Sequence, residues 1–468
     1  MKTNLFKKRL ILLILTGFCG LCFAVDQKQL DQDTMMQLQA SFQLDPANRA
    51  LMNAISNNDV NKLALNRELI NENDDVFNIS LDVEGITNQE STGRCWLFAA
   101  LNTMRHEVKE KYNLKSFEFS EAYLFFWDKL EKANYFLETV IETRDRDIDD
   151  RELQDILEDP VPDGGWWNYA VNLIEKYGAV PKELMPETQN SSNSRWMNKT
   201  LNNLARQDAA ELREMASQGK KPVTLRERKM EMMKEIYRLL VFHFGLPPQK
   251  FTWRAKDKDG HLIEKTGTPS EFYRQVVRVD LNRFVVLCDY PSFPYRDHYQ
   301  LNFCTNMPET PDMHFINVDI EKLKKYAQLS IEDSVPVWFG ADVGWQMERD
   351  HGIMAAGIYD YKSLFDIQDG LNKADRIRYR GTTPNHAMIF VGADTSGGRV
   401  LKWRVENSWG TDRGNKGYWT LYDDWFDKYV FTVIIDKKYI AEEDLRLFDK
   451  KPKKIPAWDP LRSQFLRD

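Results

Sequence analysis

Disulfide capacity is the first thing this sequence lacks. Its 468 residues hold five cysteines, Cys19, Cys22, Cys95, Cys288 and Cys304, far too few for a scaffold built on disulfides. Excess positive charge is also missing. Lys+Arg is 64 against Asp+Glu 71, a net charge of −7, which gives no support to polyanion binding as the main business of the chain. No internal repeat is visible, and histidine is scarce, with seven in all. What is present is a globular composition, 42% apolar and 12% aromatic with 13 Trp, which argues against disorder and fibrous classes. The length fits two to four domain-sized units, or one catalytic domain carrying large insertions.

A long apolar run is lacking as well. Lys7-Lys8-Arg9 precedes the uncharged stretch Leu10 to Val25, 16 residues, where a membrane-spanning helix needs about 20. Residues 1–24 therefore read as a signal peptide, with Ala24 as the cleavage point and no stable membrane anchor afterwards. That places the mature chain outside the cytoplasm, in the periplasm or secreted; without a functional signal it stays cytoplasmic. Cleavage removes four basic and no acidic groups, which leaves 60 against 71 and a net charge of −11.

Residues 25–79 are polar and read as an N-terminal arm with short helical pieces. From Cys95 the residues Leu97, Leu101, Met104 and Val108 recur at helical spacing, so a helix begins at or just after the cysteine. The segment 117–143 is aromatic and helical. The run 141–159, with nine acids and three arginines, reads as a solvated helix or loop. The segment Asp163–Gly178 gives a Gly pair, a helical stripe and a terminating glycine. Residues 200–240 suggest a helical hairpin turning around 219–222. Beyond Phe251 short apolar runs (283–288, 335–339, 387–391, 401–405, 417–421 and 430–435) read as strands punctuated by Gly, Asn and Asp. A helical first half followed by a strand-rich remainder implies an α+β architecture with a cleft between two lobes.

Three segments carry groups that make chemical sense together. Cys95 stands at a helix start, where unpaired N–H groups and the positive dipole end stabilise a thiolate; an ordinary buried thiol is the competing reading. His386 heads an apolar strand, a position open equally to function and to a satisfied structural role. Asn407, 21 residues further on, offers an amide oxygen that can fix an imidazole tautomer, with Trp409 as a shield from water. Asn-Ser-Trp-Gly is otherwise simply a turn.

The order Gln89, Cys95, His386, Asn407, with an aromatic after the cysteine and Asn-Ser-Trp-Gly at the end, resembles the papain-like cysteine peptidases. More narrowly, GRCWLF, DGGWWNYAVNLIEKYG, VWFGADVG and the late Ala-Trp-Asp-Pro resemble the bleomycin hydrolase and aminopeptidase C group, from about Arg67 to Pro460. The resemblance implies a papain-like two-lobed fold, a helical lobe plus an antiparallel β-rich lobe, with a peptidase domain over 80–445, helical insertions over about 120–280 and a C-terminal arm over 446–468. It implies Cys95 as nucleophile, His386 as general base, Asn407 as its orienter and Gln89 as an oxyanion donor. Gly164 and Gly165 would bind the substrate backbone, and Trp409 would cover the Asn–His bond. No cofactor or metal is implied. Relatives form homohexamers around an internal cavity, and their terminal carboxylate, here Asp468, anchors the amino group of a peptide substrate, which makes the activity that of an aminopeptidase. Family chains usually stop soon after Trp-Asp-Pro, whereas this one continues to Asp468. An endopeptidase or dipeptidyl-releasing enzyme is the alternative of the same class. A non-catalytic binding or assembly protein is the alternative of another class. Some relatives bind nucleic acid; a charge of −11 does not favour that here. In an oxidising compartment Cys288 and Cys304 either pair or remain two buried thiols.

Overall fold

Strand-forming runs of β-branched and aromatic residues build the centre of the molecule. The structure, a computed structural model, describes residues 29–83, 85–367 and 370–462. Six strands stand side by side in the order Phe284–Cys288, Val430–Asp436, Val337–Ala341, His386–Ser396, Arg399–Glu406 and Tyr418–Tyr422, each antiparallel to its neighbours. Val337–Ala341 and Val430–Asp436 are buried along their whole length, which is why they read as continuous apolar runs rather than alternating ones. The sheet continues through Asp297–Leu301 and His314–Asn317 to an edge strand near the C-terminus, Lys453–Ile455. The α+β, papain-like class expected from the sequence is what the chain adopts.

The helix Cys95–Lys111 packs against the His386 strand. Leu97, Leu101, Met104 and Val108 are all buried, and so is much of the opposite face. Its polar residues are accommodated by distant partners: Arg105 pairs with Glu406 at 2.7 Å and Asn102 donates to Thr87 at 2.9 Å. Three long helices, Glu121–Glu142, Arg195–Ser217 and Pro222–Phe244, pack on one another, and the last two form the hairpin read from the sequence, turning at Gly219.

The described residues fall into two units divided between Leu63 and Ala64. The first holds the helices Gln32–Ser41 and Pro46–Asn57, capped by Asp31 and Asp45, and neither buries a residue. Residues 64–79, read from the sequence as part of the arm, pack within the second unit. Asn66 N–H donates to Ile358 O at 2.9 Å, and Asn78 brackets Thr395 through its side chain.

The acidic run differs from its sequence reading as a solvated segment. Its helix Arg151–Glu158 buries Leu153 and Ile156 and receives the C-terminal segment. Asp155 pairs with Arg462 at 2.6 Å, Glu152 accepts the Ala457 N–H, and the Arg151 guanidinium lies 3.7 Å from the Trp458 ring centroid. Acids that look free in the sequence are half of a docking surface whose other half lies about 300 residues away. Cys288 and Cys304 are both free and buried, facing Thr432 and Tyr169 respectively. Burial pushes each thiol up to about 12.

Candidate active site

Cys95 is the first residue of its helix and only 6% exposed. The N–H groups of Ala387, Trp96 and Cys95 itself act on its sulfur, so the nucleophile candidate touches the strand that begins with His386. His386 is 4% exposed, and its Nε2 lies 2.8 Å from Asn407 Oδ1. That leaves Nδ1 as the nitrogen available for proton exchange. Trp409 lies over the imidazole at 4.7 Å between centroids, and Trp419 meets Trp409 edge-on at 5.7 Å. Burial pushes the Cys95 thiol up to about 11, against the pull of those N–H groups. Burial likewise pushes His386 down to about 4; Asn407 pulls it upward and the Arg349 charge downward.

Gln89 reaches the site because two turns are zipped together. Its N–H donates to Ser408 O at 2.9 Å, and Gly410 N–H donates to Thr87 O at 3.1 Å. The Gln89 turn therefore runs beside the turn that carries Asn407 and Trp409. Ser408 joins them further: its N–H donates to Asn407 Oδ1 at 2.8 Å and its hydroxyl to Gln89 Oε1 at 2.7 Å. Gln89 Nε2 gives one hydrogen to Thr92 O at 2.6 Å. An amide nitrogen has two, so one remains available.

Gly165 of the Gly pair packs against Trp96, the residue that follows Cys95. A Cβ on Gly165 would stand 2.6 Å from the Trp96 ring, so the position must be glycine for packing against the residue that follows Cys95. Gly164 O accepts from Lys132 Nζ at 2.7 Å. The neighbouring Asp163, passed over in the sequence, is a hub. Its carboxylate pairs with Lys129 at 2.6 Å and accepts from Asn198 at 2.8 Å, from the Gly93 N–H at 3.1 Å and from Ser194, while its main-chain oxygen accepts the Trp96 indole N–H at 2.9 Å. Burial pushes this carboxyl up, but the Lys129 charge and these hydrogen bonds outweigh it and hold it at about 2. Ser408, Thr92 and Asp163 bear no motif of their own; adjacency to Asn407, Cys95 and Gly164 was the one signal available.

Asp468 and the signal-like segment lie outside the described residues. Among the described residues one group has metal-ligand character, Asp257, Asp259 and His261. Asp259 bonds Asn113, just beyond the C-terminal end of the Cys95 helix; at about 1.5 Å rise per residue that end is some 25 Å from the cysteine.

A cysteine at a helix start touching the strand headed by a histidine, with an asparagine on that histidine, is the arrangement expected of a papain-like peptidase site. The chain belongs to the Peptidase C1-like family, whose profile matches residues 29–462. Aminopeptidase C of Streptococcus thermophilus is 37% identical over 438 residues, covering 93% of this chain and 98% of the relative. Aminopeptidase C of Lactococcus lactis subsp. lactis is 39% identical over 432 residues, 92% and 98% of the two chains. The crystal structure of PepW from Lactobacillus rhamnosis superposes with a TM-score of 0.90 at 37% identity, covering 93% of this chain and 99% of that one. The protein is a cysteine aminopeptidase of the bleomycin hydrolase group.

Proposed function

We propose that Cys95, His386, Asn407 and Gln89 carry the hydrolysis of the N-terminal peptide bond. The observation that supports this most directly is the buried 2.8 Å contact of His386 Nε2 with Asn407 Oδ1 beside a cysteine at a helix start. The thiol proton passes to His386 Nδ1 as the sulfur attacks the carbonyl carbon. The two opposite charges that this transfer creates side by side stabilise each other. The free Gln89 Nε2 hydrogen and the Cys95 N–H receive the oxyanion, each donor worth about 3 kcal/mol. His386 returns its proton to the leaving amine, the C–N bond breaks, and a thioester remains. Water then attacks that thioester with His386 again as base, releasing the amino acid and the thiol. Asn407 holds the imidazole, Trp409 keeps water from the Asn–His bond, and Gly164 and Gly165 offer backbone to the substrate.

The specificity for a free amino terminus is assigned to the carboxylate of Asp468. In support, the segment around Pro460 is tied next to the His386 strand: Thr383 Oγ1, three residues before His386, donates to Pro460 O at 2.8 Å. Export of the mature chain rests on Lys7-Lys8-Arg9 and the apolar run that follows. The homohexamer rests on the group resemblance.

The decisive experiment compares an aminoacyl anilide with its N-acetylated counterpart. The unblocked compound is expected to be cleaved and the acetylated one not, and Cys95→Ala is expected to abolish both hydrolysis and alkylation by iodoacetamide at that position. Equal cleavage of the two substrates removes the role of the terminal carboxylate; activity surviving in Cys95→Ala removes the mechanism. N-terminal sequencing of the protein made in its own host tests export, the expected new terminus being Val25.

A further inference from the structure

The residue immediately before the nucleophile is an arginine, and it is wholly buried. Arg94 occupies the N-cap position of the Cys95 helix but makes no side-chain capping bond, so its chemistry is directed elsewhere. Its guanidinium lies between two rings, 5.0 Å from the Phe98 centroid and 4.9 Å from that of Phe125. Nη1 contacts both carboxylate oxygens of Glu187, at 2.9 and 3.0 Å, and Nε donates to Thr92 Oγ1 at 2.9 Å. A cation so deeply buried persists through such partners, and their geometry is correspondingly well defined.

The Thr92 contact continues to Gln89. A hydroxyl has one proton, and with Arg94 on its oxygen the proton of Thr92 is turned toward another acceptor, here the main-chain oxygen of Gln89 at 2.7 Å. The Thr92 carbonyl in return accepts Gln89 Nε2 at 2.6 Å. Backbone and side chain of Gln89 are therefore both held by Thr92, whose hydroxyl is oriented by Arg94. Glu187 belongs to the segment that also joins the turn through the Ser91 N–H, which donates to Ser192 O at 3.0 Å. Two acceptors set apart at the same guanidinium suit an arginine fork and not a lysine ammonium, which is a single point of charge.

We propose that Arg94 is a positioning residue for the oxyanion donor Gln89, acting through Thr92. The inference rests on the reading of Gln89 as that donor. It assigns to the buried Arg94–Glu187 pair a part in kcat, since a donor displaced from the oxyanion stabilises the transition state less while substrate binding is unaffected.

The test is a double-mutant cycle on the mature protein with an unblocked aminoacyl anilide. Thr92→Val removes one hydroxyl at a partly buried position and leaves the Arg94–Glu187 pair in place, and circular dichroism with a thermal melt confirms that the variant assayed is folded. It is expected to lower kcat about tenfold with KM unchanged within twofold. Gln89→Ala is expected to lower kcat about a hundredfold, the scale on which a single oxyanion donor acts. On the Gln89→Ala background Thr92→Val is expected to cost nothing further. Arg94→Lys is expected to match Thr92→Val, and the two together to be no worse than either. Alkylation of Cys95 by iodoacetamide, which forms no oxyanion, is expected to keep its rate in Thr92→Val. An equal loss from Thr92→Val with and without Gln89, or a matching loss of alkylation rate, overturns the proposal. So does an unchanged kcat in Thr92→Val while Gln89→Ala is impaired, and there the donor role of Gln89 stands. No effect of Gln89→Ala removes the donor reading and the proposal with it.

Discussion

His386 illustrates how a single side chain receives its working properties from residues the sequence keeps far apart. Burial pushes it down to about 4, and the Arg349 charge acts in the same direction. Arg349 is exposed, and its guanidinium lies 5.3 Å from the centroid of Trp409, the ring that covers the imidazole. With His386 as the proposed base, activity requires the neutral imidazole, and the acid limb of the kcat/KM profile falls where His386 takes up its proton. Removing a neighbouring cation makes protonation easier and raises that pKa. Arg349→Gln is therefore expected to move the acid limb to higher pH by a few tenths of a unit, with the wild-type and variant curves converging at high salt because an exposed charge is screened. A set of pH–rate profiles at two ionic strengths measures both; a shift toward lower pH contradicts the assignment.

At the level of elements, the site was legible where one segment carried its own pattern. The helix starting at Cys95 and the strand starting at His386 stand at the ends their apolar spacing indicated, because periodicity is a local property. Other parts were not legible, and the reason is separation along the chain. Ser408 meets Gln89 across 319 residues, and Asp163 meets the Gly93 N–H across 70. A polar residue whose partner is that distant leaves no spacing signal of its own. The acidic helix Arg151–Glu158 is the clearest instance: its charge pattern suggested solvent, and the fold spends it on the C-terminal segment. Asp155 and Arg462 are largely buried in their pair, and removing one partner of such a pair costs on the order of 3 kcal/mol. Arg462→Ala is expected to loosen the segment after Ile455. Timed digestion with a carboxypeptidase, read by intact mass, should show faster loss of C-terminal residues than in the wild type; equal rates exclude the docking role.

The whole molecule sums buried groups of opposite tendency. Glu121 and Glu406 are pushed by burial up to about 7. Carboxyls raised in this way bind protons more tightly folded than unfolded, so their contribution is complete below about 4.5 and is lost as pH rises toward 7. His386 works oppositely: its contribution is complete above 6.5 and is lost as pH falls toward 4. Each such shift of about 2.5 units is worth roughly 3 kcal/mol. Glu121 and Glu406 act together against His386 over this range, Asp208 is raised in the same direction to about 6, and Asp163, held at about 2, withdraws its support only below 3.8. Thermal unfolding is expected to occur at higher temperature near pH 5 than at pH 7.5, with the difference reduced in Glu406→Gln. Scanning calorimetry at the two pH values decides it, and an unchanged difference in the variant removes Glu406 from the balance.

The turn that presents Cys95 is clasped by ionic and hydrogen-bonded contacts, Asp163 on one side and Arg94 with Glu187 on the other, and the three described cysteines are all free. Architecture and reactivity therefore answer to different variables. A strong reductant has no structural bond to break among the described residues, while it keeps the sulfur of the proposed nucleophile in its working state. On the proposed mechanism an oxidant reaches catalysis through Cys95 with the scaffold of the described residues left standing, so inactivation by mild oxidation should be recoverable in full: there the fold serves as a passive holder, and the proposed nucleophile reads the redox potential of its surroundings.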